Sequence, residues 1–360
     1  MNSTSPTYSQ KTFLYFLLLY HLVFAWLGYQ YILENNGDAM RYWFVGQNLS
    51  EKYWSDFLHP GTDVINLLTF PLVKYLQLPF FIGFLIFTVW SGYGFYRLWK
   101  LMANISGNHT ILIILSVVLL LLPNLHFWTS LIGKEAFLFV PFVVVAEKMY
   151  KKKYFSFSLI FSVIVIGMVR PHAAFVLIPP IFLAVLLKGN LSIKNRVKLS
   201  AGVGFLVLLM YFILKSVAKV KFSIFHRLEH LYRIHNAGLK KTSAYVPLEE
   251  YPYPYKMFTF YFRPLPFEKH GIYYRVIELE SLLLLVLTLA IAIFLIKNFR
   301  KPVWDAFVLF SVLLLIFYAT MYVYAYANFG MIVRTRTLVM PILFLLMLQA
   351  TRHCEQSEAK

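Results

Sequence analysis

A single cysteine, Cys354, stands in a chain of 360 residues. No disulfide can close within the chain, so cysteine usage says nothing about compartment. Charge is scarce as well. Only 14% of residues are Asp, Glu, Lys or Arg, where soluble domains carry roughly 25%. Acids are scarcer still, 16 against 34 Lys and Arg, for a formal net charge of +18. No basic stripe interleaved with base-stacking aromatics lies outside the apolar runs, which excludes nucleic acid as a partner. The apolar runs do not alternate as barrel strands do. There is no internal repeat, no low-complexity region and no soluble domain. No small-residue cleavage site follows the first apolar run, which therefore reads as an uncleaved first span.

What is present is hydrophobicity in long runs. The chain is 59% hydrophobic and 19% aromatic, and a helix crosses a bilayer in roughly 20 residues. The fold class expected is an all-α polytopic integral membrane protein of about ten transmembrane helices. They fall near residues 12–33, 78–99, 110–123, 135–150, 154–169, 173–188, 199–216, 279–297, 304–325 and 337–350. Residues 1–350 form one transmembrane domain and 351–360 a polar tail. Basic residues mark every second connection: Arg97 and Lys100, Lys151–Lys152–Lys153, Lys194 and Arg196, Arg300 and Lys301, and Arg352. Lys and Arg accumulate in short cytoplasmic loops, so both termini are expected in the cytoplasm.

The remaining connections then face outward. They include a first loop at 34–77, whose segment 62–77 reads as an interfacial helix, and a long loop at 217–278. Its stretch 245–267, dense in proline and aromatics, is expected to be extended. These connections carry Asp38 and Arg41, His126, Lys134 and Glu135, Arg170 and His172, Arg263 and Glu268, and Arg334 and Arg336. Charges at membrane depth are costly unless they meet a polar cavity or one another, and one shared aqueous cavity would satisfy them together. Simpler roles stand beside this one. Asp38 suits a helix cap, Lys134 suits pairing with Glu135, and Arg334 and Arg336 suit headgroup anchoring. Two residues apart, Arg334 and Arg336 cannot share a helix face, which suggests either a loop end or a helix on which one of them points elsewhere. Arg275 and Glu278, spaced i,i+3, read as a structural pair. His226, His230 and His235 lack the HExxH pattern and read as one face of a surface helix rather than a metal site.

Arginine binds phosphate as a fork and lysine binds it as a point charge. A carboxylate among cations suits a general base toward a hydroxyl. Together they suggest glycosyl transfer from a phosphate-linked sugar. At this point the residues resemble a known group. "NNGDAMRYW" after the first span resembles the first outer loop of GT-C-type membrane glycosyltransferases, though the adjacent acidic pair of many members is missing. "HFWTSLIGKEAF", "RPHAAF", "YFRPLPFE" and "NFGMIVRTRTLVMP" resemble bacterial surface-polysaccharide proteins, including Wzy/EpsG-type repeat-unit polymerases. The resemblance implies a GT-C-like protein of the bacterial inner membrane, with a polyprenyl-linked sugar as donor and a glycan or lipid-linked glycan as acceptor. It implies Asp38 as catalytic base and Arg170, Arg263, Arg334 and Arg336 as a clamp on the lipid diphosphate; the outward grouping of ionisable residues adds Arg41, His126, Lys134, Glu135 and His172 as substrate-binding. No metal-ligand set is evident and no cofactor is expected, although some members use a divalent metal. A transporter or flippase of a lipid-linked saccharide is the rival. It would use the same cations without a base.

Overall fold

A computed structural model describes residues 8–44, 52–217, 237–269, 271–297 and 304–358. Among these residues the chain is helical without strands, apart from one isolated bridge between Tyr245 and Asn328. His226, His230 and His235 lie outside the described residues. The α-helices are α1 (Tyr8–Asn35), α2 (Asp38–Phe44), α3 (Asp63–Lys74), α4 (Phe80–Ser106), α5 (Thr110–Leu120), α6 (Pro123–Ser130), α7 (Lys134–Tyr150) and α8 (Phe157–Val169). They continue with α9 (Pro171–Lys188), α10 (Ile193–Val217), α11 (Tyr253–Phe262), α12 (Ile272–Lys297), α13 (Ala306–Ala325), α14 (Phe329–Arg336) and α15 (Met340–Glu358).

Each of the ten apolar segments falls on a helix. Among the described residues four helices are long and apolar enough to cross a membrane: α1 from Lys11, α9, α12 and α13. The count rises to six if α5–α6, bent by 44°, and α14–α15, bent by 57°, are each one broken span. The chain is thus an all-α, multi-pass membrane protein. Where an extended chain was expected at 245–267, α11 forms instead. Pro252 is its N-cap and Pro254 stands in its first turn, where proline needs no partner for its missing N–H. The Arg334–Arg336 segment is likewise helix rather than a loop end.

The chain groups into two compact units. Unit 1 comprises Met1–Arg170, Val286–Val303 and Thr337–Lys360; unit 2 comprises Pro171–Leu285 and Trp304–Arg336. Within unit 1, α4 packs between α1 and α7, and α7 also packs on α8. All but four of the seventeen residues of α7 are buried. Its middle, "AFLFVPFVVVA", is apolar all round, as a fully enclosed helix requires. Close approach of α4 to α7 needs Gly94, since a Cβ there would sit 2.7 Å from a Phe139 ring carbon. In unit 2, α9 packs along α13, and α11 lies against α13 and α14.

Proline opens these helices at defined carbonyls, and side chains close the gaps. Pro141 has no N–H to offer Phe137 four residues back; the Trp90 indole donates to that carbonyl at 2.9 Å. Pro71 frees Leu67 in the same way, and the Trp54 indole donates to it at 2.8 Å. At the α5–α6 bend before Pro123, the Tyr20 hydroxyl donates to the Leu121 carbonyl at 3.1 Å. His126 Nε2 lies 2.7 Å from the Leu120 carbonyl. Without water, an unpaired carbonyl costs several kcal/mol, by order of magnitude, so these donors are part of what holds the broken helices.

Candidate functional site

In unit 1 the ends of α7 and α8 meet the loop before α3. Lys134 and Glu135 open α7, and Glu135 in the first turn suits the positive end of the helix. Arg170 is the residue after α8, outside helical geometry, and Pro171 starts α9 at once. Arg170 Nη2 is ion-paired with Glu135 Oε1, and both side chains are buried. The Lys134 ammonium donates to the Thr62 hydroxyl at 2.9 Å. The Gly61 N–H donates to the Met168 carbonyl at 2.7 Å, fastening the same loop to α8. Two cations and one carboxylate are thereby held where a nearly all-buried helix begins.

Thr62 was not singled out by its sequence. "PGTD" marks a turn running into a helix, and that predicts a cap. In fact Thr62 makes no side-chain cap, and its hydroxyl faces Lys134. Asp38 and Arg41 sit on the exposed side of α2, whose buried Ala39, Tyr42 and Trp43 form the opposite side. α2 is tied to α3 by the Thr69 hydroxyl, which donates to the Tyr42 carbonyl at 2.8 Å. Asp38 is therefore carried by the same α2–α3 segment whose loop grips α7 and α8.

His126 does not join this group. It is fully buried among α1, α4 and α6, stacked on Phe95 with centroids 4.2 Å apart. Its Nδ1 lies 3.1 Å from His21 Nδ1, and His21 Nε2 lies 2.8 Å from the Ser91 hydroxyl. A carbonyl can only accept, so His126 donates to Leu120 from Nε2, and the Ser91 hydroxyl is itself within reach of the Phe87 carbonyl at 3.0 Å. The reason is local: a bend needs a donor, and an imidazole supplies one. His21, 105 residues away, gave no signal in sequence.

Unit 2 holds His172, Arg263, Arg334 and Arg336. His172 is exposed, with Nε2 at 3.3 Å from the Tyr322 hydroxyl. Arg263 donates from Nε to Glu268 at 2.9 Å and from Nη1 to Tyr251 and Thr259 at 3.3 Å. The rings of Tyr251, Tyr255 and Phe329 surround its guanidinium at 5.3–5.5 Å. Burial pulls its pKa down, but the Tyr251 hydroxyl and the Glu268 carboxylate more than offset this, leaving it above the ordinary arginine value. Arg336 is fully buried. It donates from Nη1 to the Tyr261 carbonyl at 3.1 Å and the Arg263 carbonyl at 3.0 Å, and from Nη2 to Ser281 at 2.9 Å. Those carbonyls end α11, so Arg336 is its C-terminal cap. Arg334, on the same helix, is half-buried.

The Arg275–Glu278 pair forms at 3.2 Å. Glu278 also accepts the backbone N–H of Phe267 at 3.2 Å and of Lys269 at 2.8 Å, and so anchors the loop after α11. Among the described residues no group of three or more His, Cys, Asp or Glu could hold a metal ion. No protein-family model, curated protein or solved structure matches this chain.

Proposed function

We propose that the protein transfers a sugar from a polyprenyl-(di)phosphate carrier to a glycan acceptor during bacterial surface-polysaccharide assembly, as a GT-C-like glycosyltransferase or a repeat-unit polymerase. The reading takes the ten apolar helices as ten crossings of the inner membrane, with both termini cytoplasmic and with α2 and α3 resting on the outer surface. The observation that carries it is the Lys134–Glu135–Arg170 group at the head of α7, held under the loop of Thr62. Fixed cations at a membrane-embedded helix end are suited to the charge that grows on a departing phosphate.

In the proposed reaction Asp38 accepts the proton of the acceptor hydroxyl. The acceptor oxygen bonds to the anomeric carbon, the bond from that carbon to the phosphate oxygen breaks, and the carrier (di)phosphate leaves as an anion beside Lys134 and Arg170. Arg41 on α2 remains a substrate contact in this proposal. Arg263 and Arg336, whose donors engage the protein itself, act as positioning residues. His126 supports the α5–α6 bend.

Asp38→Asn keeps the shape of the side chain and removes the base. It is expected to stop polymer formation while lipid-linked precursor collects on the outer leaflet, read by surface labelling of the precursor. Precursor trapped on the inner leaflet would instead identify a flippase, and undiminished polymer would remove Asp38 from the chemistry.

A further inference from the structure

α11 begins with a cation where its own geometry disfavours one. Its first turn contains no acidic residue, yet it holds Lys256, only 9% exposed. The positive end of a helix repels an ammonium. Among the described residues no side-chain or backbone oxygen accepts a hydrogen bond from its Nζ. Its neighbour is the Tyr324 ring on α13, 4.5 Å away at the centroid.

The local acids are engaged elsewhere or exposed. Glu249 pairs with Lys240 at 3.4 Å, Glu268 holds Arg263, and Glu278 holds Arg275. Glu250 stands exposed in the turn before α11. Other enclosed cations are treated differently: Arg97 and Arg170 have carboxylates, and Arg336 has carbonyls. Lys256 is left facing a rim of hydroxyls and rings. Tyr253, one turn before it, bonds to the Thr320 hydroxyl at 2.6 Å, and Thr320 lies one turn before Tyr324 on α13. Tyr253 and Tyr324 are 42% and 47% exposed, so the rim is open to the surroundings.

We infer that Lys256 is the floor of a phosphate-binding position rimmed by Tyr253, Thr320 and Tyr324. An anion there would neutralise both the ammonium and the helix end. Phosphate fits because a lysine serves it as a point charge, and the Tyr253 and Thr320 hydroxyls, now bonded to each other at 2.6 Å and, from Thr320, to the Ile316 carbonyl at 2.7 Å, would turn to meet its remaining oxygens. Tyrosines also favour the depth at which lipid phosphates lie. The phosphate comes either from a lipid headgroup or from solution. This position is independent of the transfer reaction proposed above and stands whether or not that proposal holds.

The test uses the full chain in neutral detergent and reads its thermal midpoint. Inorganic phosphate is added against chloride at equal ionic strength, and phosphatidylglycerol is added to mixed micelles against diacylglycerol. A rise with phosphate assigns a soluble ligand, and a rise with phosphatidylglycerol alone assigns a headgroup. Lys256→Met is expected to abolish either rise. No rise in the native chain, or an equal rise in the variant, overturns the inference. Should Lys256→Met fail to fold, acylation of Lys256 in the native chain, followed by peptide mass spectrometry, decides. The effective probe should slow it about tenfold at ten times its dissociation constant, and unchanged acylation by both probes overturns the inference.

Discussion

Glu135 and Arg170 are 35 residues apart in the chain and joined in the fold. Removing one partner of a buried ion pair leaves a bare charge, at a cost of about 3–5 kcal/mol, whereas replacing both with apolar groups is often neutral. Glu135→Gln alone should therefore destabilise by about that amount, and adding Arg170→Met should recover most of it, measured by unfolding in detergent. Arg170→Lys keeps a cation beside Glu135 but loses the fork. It should leave the fold intact and reduce transfer; full activity in that variant would take Arg170 out of the phosphate site. At this scale the sequence was half legible. "GKEAF" and "VRPH" stood out because ions interrupt apolar runs. Which ion meets which did not, because pairing follows from helix packing. Lys134 reaches Thr62, 72 residues away, and nothing in the sequence marked that partner.

At the scale of the element, apolar runs placed helices well, because a helix satisfies its own backbone where water is absent. Long-range donors to interrupted helices were not legible. Trp90 is 47 residues from the carbonyl it serves. The physics of that contact makes a cycle testable. Trp90→Phe should destabilise by about 1–3 kcal/mol through an unsatisfied carbonyl. In a Pro141→Ala background, where the substituted residue restores the helical N–H, the same change should cost markedly less. Equal costs in both backgrounds, read by thermal unfolding, would show that the indole matters for packing alone. His126 belongs to the same class. Its place in an apolar run suggested a site, and the bend it supports is a sufficient reason for it.

For the whole molecule, four to six spans follow from length and composition, and ten follow only from the proposed topology. α7 is the instructive case. Its seventeen residues rise about 25 Å at 1.5 Å each, close to a hydrocarbon thickness of roughly 30 Å. Ionic groups stand at both ends, Glu135–Arg170 at one and Arg97–Glu147–Lys151 at the other. Reporter fusions at residues 152 and 171 should thus report opposite sides, with 152 cytoplasmic. The same side for both would end the ten-span reading. Two of the seven tryptophans, Trp54 and Trp90, keep an indole proton fixed on a helix carbonyl. In heavy water each of those protons exchanges with solvent only when its indole leaves the carbonyl. The protein therefore carries a native gauge of these two contacts, legible by NMR without any label.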